Sequence, residues 1–153
     1  SSVPLDENDE EIIKILQEKK TIVLYSKTDL KSAIDIEYLK SKNINAYRGT
    51  VEKTPFKSDY MDIVIASEIL EHVYNPLEVI KEIYRILKPK GRCYISVPYM
   101  RNCDCQTHVR QFDITDIYTL VVNNGFEVEN VILVPYINSS YLDNIFICIV
   151  KNK

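Results

Sequence analysis

The residues best suited to chemistry in this sequence begin with a glutamate–histidine pair. Glu71 and His72 follow the apolar run 61–66 by a few residues. An imidazole changes its charge near neutral pH, so His72 is a candidate catalytic residue, acting as a general base or contacting a substrate. A residue that starts a helix and makes only local hydrogen bonds has the same sequence pattern, and both interpretations remain open.

The second histidine lies in a polar segment with two cysteines. Cys103, Cys105 and His108 have the spacing Cys-x-Cys-x-x-His, which offers three zinc ligands. Structural zinc sites use four ligands and a fourth is not evident, so we predict no metal site. Arg110 is suited to clamping a carboxylate or phosphate, and equally to pairing with Asp113 or the aspartate after it.

Strands and helices alternate along the chain and would position these residues. An Asn8 or Asp9 cap, with acidic residues in the first turn and lysines in the last, predicts a helix over 8–20. Apolar periodicity and β-branched runs predict the other early and late elements. These are a helix at 31–42 and strands at 21–25, 44–48, 61–66, 93–97, 126–137 and 142–150.

Two further helices have clear start signals. Asn75 and Pro76 predict the N-cap and the first helical residue of one, with Glu78 placed for a capping box. Asp113 predicts the cap of the other, and the segment 88–91 predicts the end of the first of these helices, before the strand at 93–97. The order of elements predicts a doubly wound, mostly parallel α/β sheet of about six strands with an antiparallel C-terminal strand.

Composition restricts the size, partners and compartment of the protein. A chain of 153 residues suits one domain spanning 1–153. Its net charge of −3 argues against a general nucleic-acid or anionic-membrane partner. No apolar run approaches the roughly 20 residues of a membrane span. Four cysteines do not make a disulfide framework, so we expect a reduced, cytoplasmic protein.

Several segments of the second half resemble motifs of one enzyme family, in that family's order and spacing. The sequence 49–56 is similar to G-D-A-E-K-L-P-F, and 62–73 is similar to F-D-x-V-x-x-x-x-x-L-E-H-V. The sequence 76–98 resembles E-x-x-R-x-L-K-P-G-G with the strand after it, and 108–126 resembles H-x-R-x-F followed by a-G-F. These are motifs of the small-molecule class I S-adenosylmethionine-dependent methyltransferases.

The resemblance implies S-adenosylmethionine as the cofactor, bound over the carboxyl ends of the central strands of a Rossmann-like sheet. It also implies that His108 and Arg110 lie in a loop that covers the active site, where they would bind the substrate. The residues that match the family's cofactor-binding positions, or stand in the loop after the first strand, are Ser26, Asp29, Gly49, Thr50, Val51, Ala66, Ser67 and Glu68.

The N-terminal part departs from the family pattern. The family has a glycine-rich loop after its first strand, but 25–31 contains no glycine and the whole chain contains three. Glycines let a backbone approach a ligand closely. Tyr25 and Thr50 stand where the family has acidic residues. We therefore expect weak binding of S-adenosylmethionine, the methyl donor. The stretch 21–55 is also short, and we expect 22–25 to lie between 61–66 and a reduced strand at 44–48.

Two functions are compatible with these observations. The first is S-adenosylmethionine-dependent methyl transfer through a degenerate cofactor site, to a small-molecule or macromolecular acceptor that the sequence does not identify. The alternative is an inactive methyltransferase-fold pseudoenzyme that serves as a binding or homodimerisation module. The missing glycines favour the alternative, whereas the L-E-H-V and H-x-R-x-F segments favour methyl transfer.

Overall fold

The structure is a computed structural model that describes residues 7–18, 21–25, 36–99, 108–135 and 143–152. These residues fall into two compact units, Ser1–Pro55 and Phe56–Lys153. The expectation that 1–153 form a single domain stays a prediction.

The first unit contains two helices and a pair of short parallel strands. In chain order these are α1 (Glu7–Glu18), β1 (Ile22–Tyr25), α2 (Ile36–Ser41) and β2 (Asn45–Arg48). The strands pair in parallel from Ile22 opposite Asn45 to Tyr25 opposite Arg48, which confirms the predicted pairing of 22–25 with 44–48. The other predicted neighbour, 61–66, stays a prediction. The buried core of this unit consists of Ile13, Ile36, Leu39, Ile44 and Ala46.

The helix boundaries of the first unit differ from the prediction. Helix α1 begins at Glu7, so Asn8 and Asp9 lie within it and do not cap it. Helix α2 begins at Ile36 among the described residues, while 31–35 lie outside them. The two helices are joined by a hydrogen bond from Tyr38 Oη to Glu10 Oε1, at 3.2 Å. Sequence periodicity placed both helices correctly, the cap predicted for α1 is wrong, and the predicted start of α2 at 31 lies outside the described residues.

The second unit is a four-stranded sheet with the order β3-β4-β6-β5. Its strands are β3 (Met61–Ser67), β4 (Leu87–Tyr99), β5 (Phe126–Pro135) and β6 (Asp143–Lys151). β3 and β4 are parallel, whereas β6 is antiparallel to both β4 and β5. The predicted α/β fold with an antiparallel C-terminal strand is confirmed. Fully buried side chains at its centre include Ile80, Leu87, Ile95, Ile117, Ile145 and Ile147.

Helix α3 (Pro76–Ile86) connects β3 to β4 and begins at the predicted proline. Its buried face includes Val79, Ile80 and Ile83, at helical spacing. Asn75 occupies the N-cap position, but its side chain makes no capping hydrogen bond. Glu78 pairs with Lys81 at 2.9 Å on the helix surface, so the predicted capping box is wrong.

Strand β4 starts earlier than the sequence predicted. Helix α3 ends at Ile86, before the segment 88–91 that was predicted to stop it, and β4 begins directly at Leu87 and includes that segment. The pairing register of β4 with β3 shifts between Met61 and Ile63, which accommodates this segment. Within it, Lys90 adopts a φ of 65°. A Cβ on Gly91 would lie 2.9 Å from the Lys88 carbonyl oxygen and 3.1 Å from that of Asp62. Glycine is therefore required by the bend of β4 at Lys88, and the close approach of β3 adds to this requirement.

Helix α4 (Ile114–Val122) begins where Asp113 predicted. The Asp113 carboxylate accepts from Asp116 N at 2.7 Å, and the Asp116 carboxylate accepts from Asp113 N at 3.1 Å. This reciprocal pair satisfies two backbone donors at the helix start. Gly125, with a φ of 87°, ends the turn after the helix.

Candidate functional site

A fixed carboxylate stands at the carboxyl edge of β3 and β4. Glu68 follows β3 directly and has a φ of 51°, a left-handed conformation that costs a non-glycine residue about 1–2 kcal/mol. Its backbone N donates to Ser96 O at 3.0 Å, and Ser96 Oγ donates to Glu68 Oε1 at 2.8 Å. Because the Ser96 hydroxyl proton is used for Glu68, Ser67 Oγ donates to Ser96 Oγ, at 2.8 Å.

Ser96 was missed by the sequence analysis. It is 3% exposed on β4, directly opposite Ser67 in the parallel register. Two serines at the ends of consecutive apolar strands are the only signal that could have suggested it. The two hydrogen bonds between Ser96 and Glu68 restrict the position of the Glu68 carboxylate. This carboxylate lies at the edge where open α/β sheets bind ligands.

The other predicted cofactor residues are distributed as follows. Ala66 is buried at the end of β3, next to Ser67. Gly49, Thr50 and Val51 belong to the first unit, directly after β2, in a turn closed by a bridge between Thr50 and Lys53. Ser26 and Asp29 lie outside the described residues. The cofactor-binding roles of all these residues stay predictions.

A Cβ at Gly49 would lie 3.3 Å from Leu24 Cδ1 on β1. The missing side chain therefore accommodates packing within the first unit. The Glu68 carboxylate fits the implied cofactor chemically. S-adenosylmethionine carries ammonium, amino and hydroxyl groups, and a carboxylate accepts hydrogen bonds from all three.

The predicted catalytic residue His72 lies in a partly buried polar cluster. The 3₁₀ turn Leu70–His72 carries Glu71, which is 2% exposed, and His72 Nε2 lies 3.4 Å from Glu71 Oε1. The ring of His108 meets the ring of His72 edge to face, with 4.8 Å between centroids. The structure thus brings the predicted catalytic and substrate-binding histidines together, and these roles stay predictions.

Arg110 makes a contact that the sequence analysis did not consider. Its Nη2 donates to Tyr74 O at 2.8 Å. Within the described ranges no ion pair joins Arg110 to Asp113 or Asp116, whose carboxylates form the capping box of α4. Its substrate-binding role stays a prediction, and the contact shown fastens the segment after His108 to the segment after His72.

The E-x-x-R segment of α3 braces the fold. Arg85 forms a two-point ion pair with Glu82, with Nη2–Oε1 at 2.7 Å and Nε–Oε2 at 2.8 Å. Its Nη2 also donates to Phe56 O at 2.7 Å, which ties the segment before β3 to α3. The hydrogen bond to Glu82 raises the pKa of the Arg85 guanidinium. These contacts make Glu82 and Arg85 structural residues.

Neither described cysteine is suited to nucleophilic chemistry. Cys93 is fully buried on β4, and burial raises the pKa of its thiol well above its usual range. Burial also raises the pKa of Cys148, and its hydrogen bond to Glu129 acts in the same direction. Because the thiolate is the nucleophile, both thiols are inert at neutral pH. Cys103 and Cys105 lie outside the described residues.

Comparisons with known proteins agree with this architecture. A protein of Mycolicibacterium smegmatis, named as a probable S-adenosylmethionine-dependent methyltransferase, is 23% identical over 94 residues, covering 57% of this chain and 37% of the relative. The ubiquinone biosynthesis O-methyltransferase of Pseudomonas entomophila is 37% identical over 67 residues, covering 44% of this chain and 26% of the relative. The chain thus matches well under two thirds of the length of each.

A solved structure and a family model complete the comparison. The SAM-dependent methyltransferase of Thermotoga maritima superposes with a TM-score of 0.67 at 19% identity, covering 86% of this chain and 73% of that one. That likeness shows the fold. The family model described as "Methyltransferase domain" matches residues 13–95, more than half of the chain. The chain therefore belongs to the methyltransferase domain family.

Proposed function

We propose that this chain is an S-adenosylmethionine-dependent methyltransferase domain that methylates an unidentified small-molecule or macromolecular acceptor. The observation that carries the proposal is the Glu68 carboxylate at the carboxyl edge of β3, held by Ser96 within the segment that resembles the family's motif. A left-handed glutamate with an oriented carboxylate is costly for the fold, and such costs concentrate at binding sites. Membership of the methyltransferase domain family supports the same function.

The donor supplies an electrophilic methyl group on a sulfonium, and the chain supplies the contacts around it. Glu68 accepts a hydrogen bond from a polar group of the donor, because its carboxylate is positioned by Ser96. His72 takes the proton that the acceptor loses, as a general base. Glu71, with Oε1 at 3.4 Å from His72 Nε2, compensates the charge that the imidazole gains. In this proposal His108 packs against His72 and orients its ring.

Donor affinity is the most direct test. We expect a dissociation constant for S-adenosylhomocysteine in the high micromolar range or weaker, because Tyr25 and Thr50 replace two acidic residues of the family. Losing two charge-assisted hydrogen bonds at about 1.5–3 kcal/mol each weakens binding by about two to four powers of ten. Isothermal titration calorimetry on the full chain measures this constant.

The matched variants are Glu68→Gln and Glu127→Gln. Glu127 is an exposed carboxylate on β5, at the other edge of the four-stranded sheet. We expect Glu68→Gln to weaken S-adenosylhomocysteine binding about tenfold and Glu127→Gln to leave it unchanged. Equal affinity in both variants would remove the support that Glu68 gives to the proposal. A low-micromolar constant for the wild type would contradict the expected weak binding.

The pseudoenzyme alternative makes the opposite prediction. It expects no detectable heat with S-adenosylhomocysteine, together with a homodimer in sedimentation experiments. Nothing in the described residues or in the comparisons favours it over methyl transfer.

The compartment is part of the proposal. None of the helices in the described parts of the chain combines the length and apolar character needed to cross a bilayer. We place the domain in the cytoplasm, where S-adenosylmethionine-dependent chemistry on a dissolved acceptor would take place. Its net charge of −3 is consistent with an acceptor other than nucleic acid.

A further inference from the structure

The only two histidines of the chain meet at one buried carboxylate. Glu71 and His72 lie on the 3₁₀ turn after β3, and His108 lies after the end of β4. One ligand atom from each of these residues, two ring nitrogens and a carboxylate oxygen, lies within 4.8 Å of the other two. Residues from separate parts of the chain thus converge on one point.

This set of donor atoms matches a known preference of metal ions. Two imidazole nitrogens and one carboxylate oxygen are the protein ligands of many catalytic zinc sites, which keep a further position open. Imidazole also suits cobalt and nickel, whereas magnesium and calcium prefer sites made of oxygen alone. We propose that Glu71, His72 and His108 bind one divalent metal ion of the zinc class.

The spacing of the ligand atoms fits such an ion. Zinc binds nitrogen and oxygen at about 2.0–2.2 Å, so neighbouring ligands of a tetrahedral site lie about 3.3–3.5 Å apart. His72 Nε2 and Glu71 Oε1 already lie 3.4 Å apart. The other separations are at most 4.8 Å, so tetrahedral coordination requires the ligand atoms to approach by up to about 1.4 Å, through rotation of the His108 side chain.

Two hydrogen bonds hold the segments that carry the three ligands in place in the absence of an ion. Val109 N donates to Glu71 O at 3.0 Å, which joins the residue after His108 directly to the ligand turn. Arg110 Nη2 donates to Tyr74 O at 2.8 Å, on the far side of His72. These two hydrogen bonds fasten the His108 segment to the Leu70–His72 turn, so an ion would meet a largely preformed site.

The burial of the Glu71 carboxylate gives an electrostatic reason to expect a metal ion at this site. Glu71 is 2% exposed, and a buried carboxylate is costly unless nearby groups offset its charge. A dication beside its oxygens would offset that charge together with the two imidazoles. Metal binding should therefore raise the stability of the second unit as well as occupy the site.

The site would also serve the proposed function. Three protein ligands would leave a coordination position for water or for an oxygen of the methyl acceptor, and a bound dication would make the hydroxyl proton of that acceptor more acidic. A ring nitrogen of His72 that binds the ion is not available as a base, so in the metal-bound site the ion would take over the part given above to the imidazole. That second use rests on the proposed methyltransferase function. Binding of the metal itself does not, so it is tested with neither donor nor acceptor present.

The test is a titration of the chelator-treated full chain with zinc chloride, followed by calorimetry. We expect one equivalent to bind with a micromolar or tighter dissociation constant. Substitutions Glu71→Gln, His72→Ala and His108→Ala should each weaken binding at least tenfold, while Glu127→Gln should not. Loss of no more than a factor of two in the three ligand variants would overturn the proposal, as would the absence of binding in the wild type.

Two further measurements keep the result interpretable if a ligand variant folds poorly. With two histidines in the chain, imidazole ¹H–¹⁵N spectra of the wild type resolve each ring, and zinc should shift both. Cobalt titration of a Cys103→Ser, Cys105→Ser double variant should give the same affinity as the wild type, with no thiolate charge-transfer band in either protein. Unshifted histidine signals, or binding that disappears with the cysteines, would contradict the assigned ligands.

Discussion

The two units of this protein are built differently, and they differ in how closely they follow the family pattern. The first unit has two strands of 4 residues each and a small cluster of buried side chains. The second has four strands of 7 to 13 residues around a larger core. Family-like residues are dense in the second unit, whereas the glycines and acidic residues expected of a donor site are missing from the first.

The contrast separates residues that hold the fold from residues that would hold a ligand. In the second unit, Glu82, Arg85 and Gly91 match the family and also stabilise the fold, through an ion pair and a close strand approach. Their presence therefore says little about activity. Glu68 and Thr50 are more informative. Glu68 has a left-handed conformation that costs stability, and Thr50 lacks the carboxylate that the family resemblance predicts at its position.

The largest expected effect tests the difference in core size. Ile80→Ala removes a side chain that is 0% exposed, and we expect it to lower the free energy of unfolding by about 2–5 kcal/mol. Ile44→Ala removes the same atoms from the first unit, where Ile44 is 2% exposed. We expect a loss near the lower end of that range, because a smaller core collapses more easily into the cavity. Urea unfolding and native-state hydrogen exchange measure both, and an equal loss would contradict the contrast.

A substitution in the first unit that raises the affinity for the methyl donor tests the same comparison. Thr50→Asp restores the acidic residue that the resemblance implies, and one added charge-assisted hydrogen bond is worth about 1.5–3 kcal/mol. We expect S-adenosylhomocysteine to bind about 10- to 100-fold more tightly in calorimetry. Thr119→Asp makes the same charge change on the exposed surface of α4 and should leave affinity unaltered. Unchanged binding in Thr50→Asp would count against the family alignment at this position.

The ion pair of α3 tests the structural role of the E-x-x-R segment. Arg85→Ala leaves the nearly buried Glu82 without its cation and frees Phe56 O, so we expect a loss of about 1–3 kcal/mol. Lys81→Ala removes an exposed partner from Glu78 and should cost about 0.3–0.5 kcal/mol. Chemical denaturation monitored by circular dichroism measures both. A cost in Arg85→Ala no greater than in Lys81→Ala would show that this pair does not brace the fold.

The smallest expected effect concerns two residues in the left-handed conformation. Lys90→Gly relieves a φ of 65° and should raise stability by about 1 kcal/mol with no change in donor affinity. Glu68→Gly relieves a φ of 51° but removes the carboxylate bonded to Ser96, so we expect little net change in stability and weaker donor binding. Unfolding and calorimetry are measured on the same samples. If the two variants bind the methyl donor equally tightly, the left-handed conformation of Glu68 serves the fold and not donor binding.

Local signals predicted much of the fold. Pro76 begins α3 and Asp113 caps α4, because a missing N–H and a short carboxylate act within one turn of the helix. The C-terminal hairpin followed from two β-rich runs joined by a turn. Asn75 occupies the N-cap position without a capping hydrogen bond from its side chain, and 88–91 follows the end of α3 but belongs to β4, where a register shift against β3 accommodates it.

The sequence by itself determined the order of helices and strands and the family-like segments, since periodicity, capping and turn residues act over a few positions. Only the tertiary structure decided that Ser96 holds Glu68, and that His72 and His108 meet at Glu71. Parallel pairing of β3 with β4 brings the carboxyl ends of both strands to one edge. The backbone hydrogen bond of Val109 and the side-chain hydrogen bond of Arg110 bring the later segment back to the turn after β3. Contacts of this kind depend on how distant segments pack, and no local pattern encodes them.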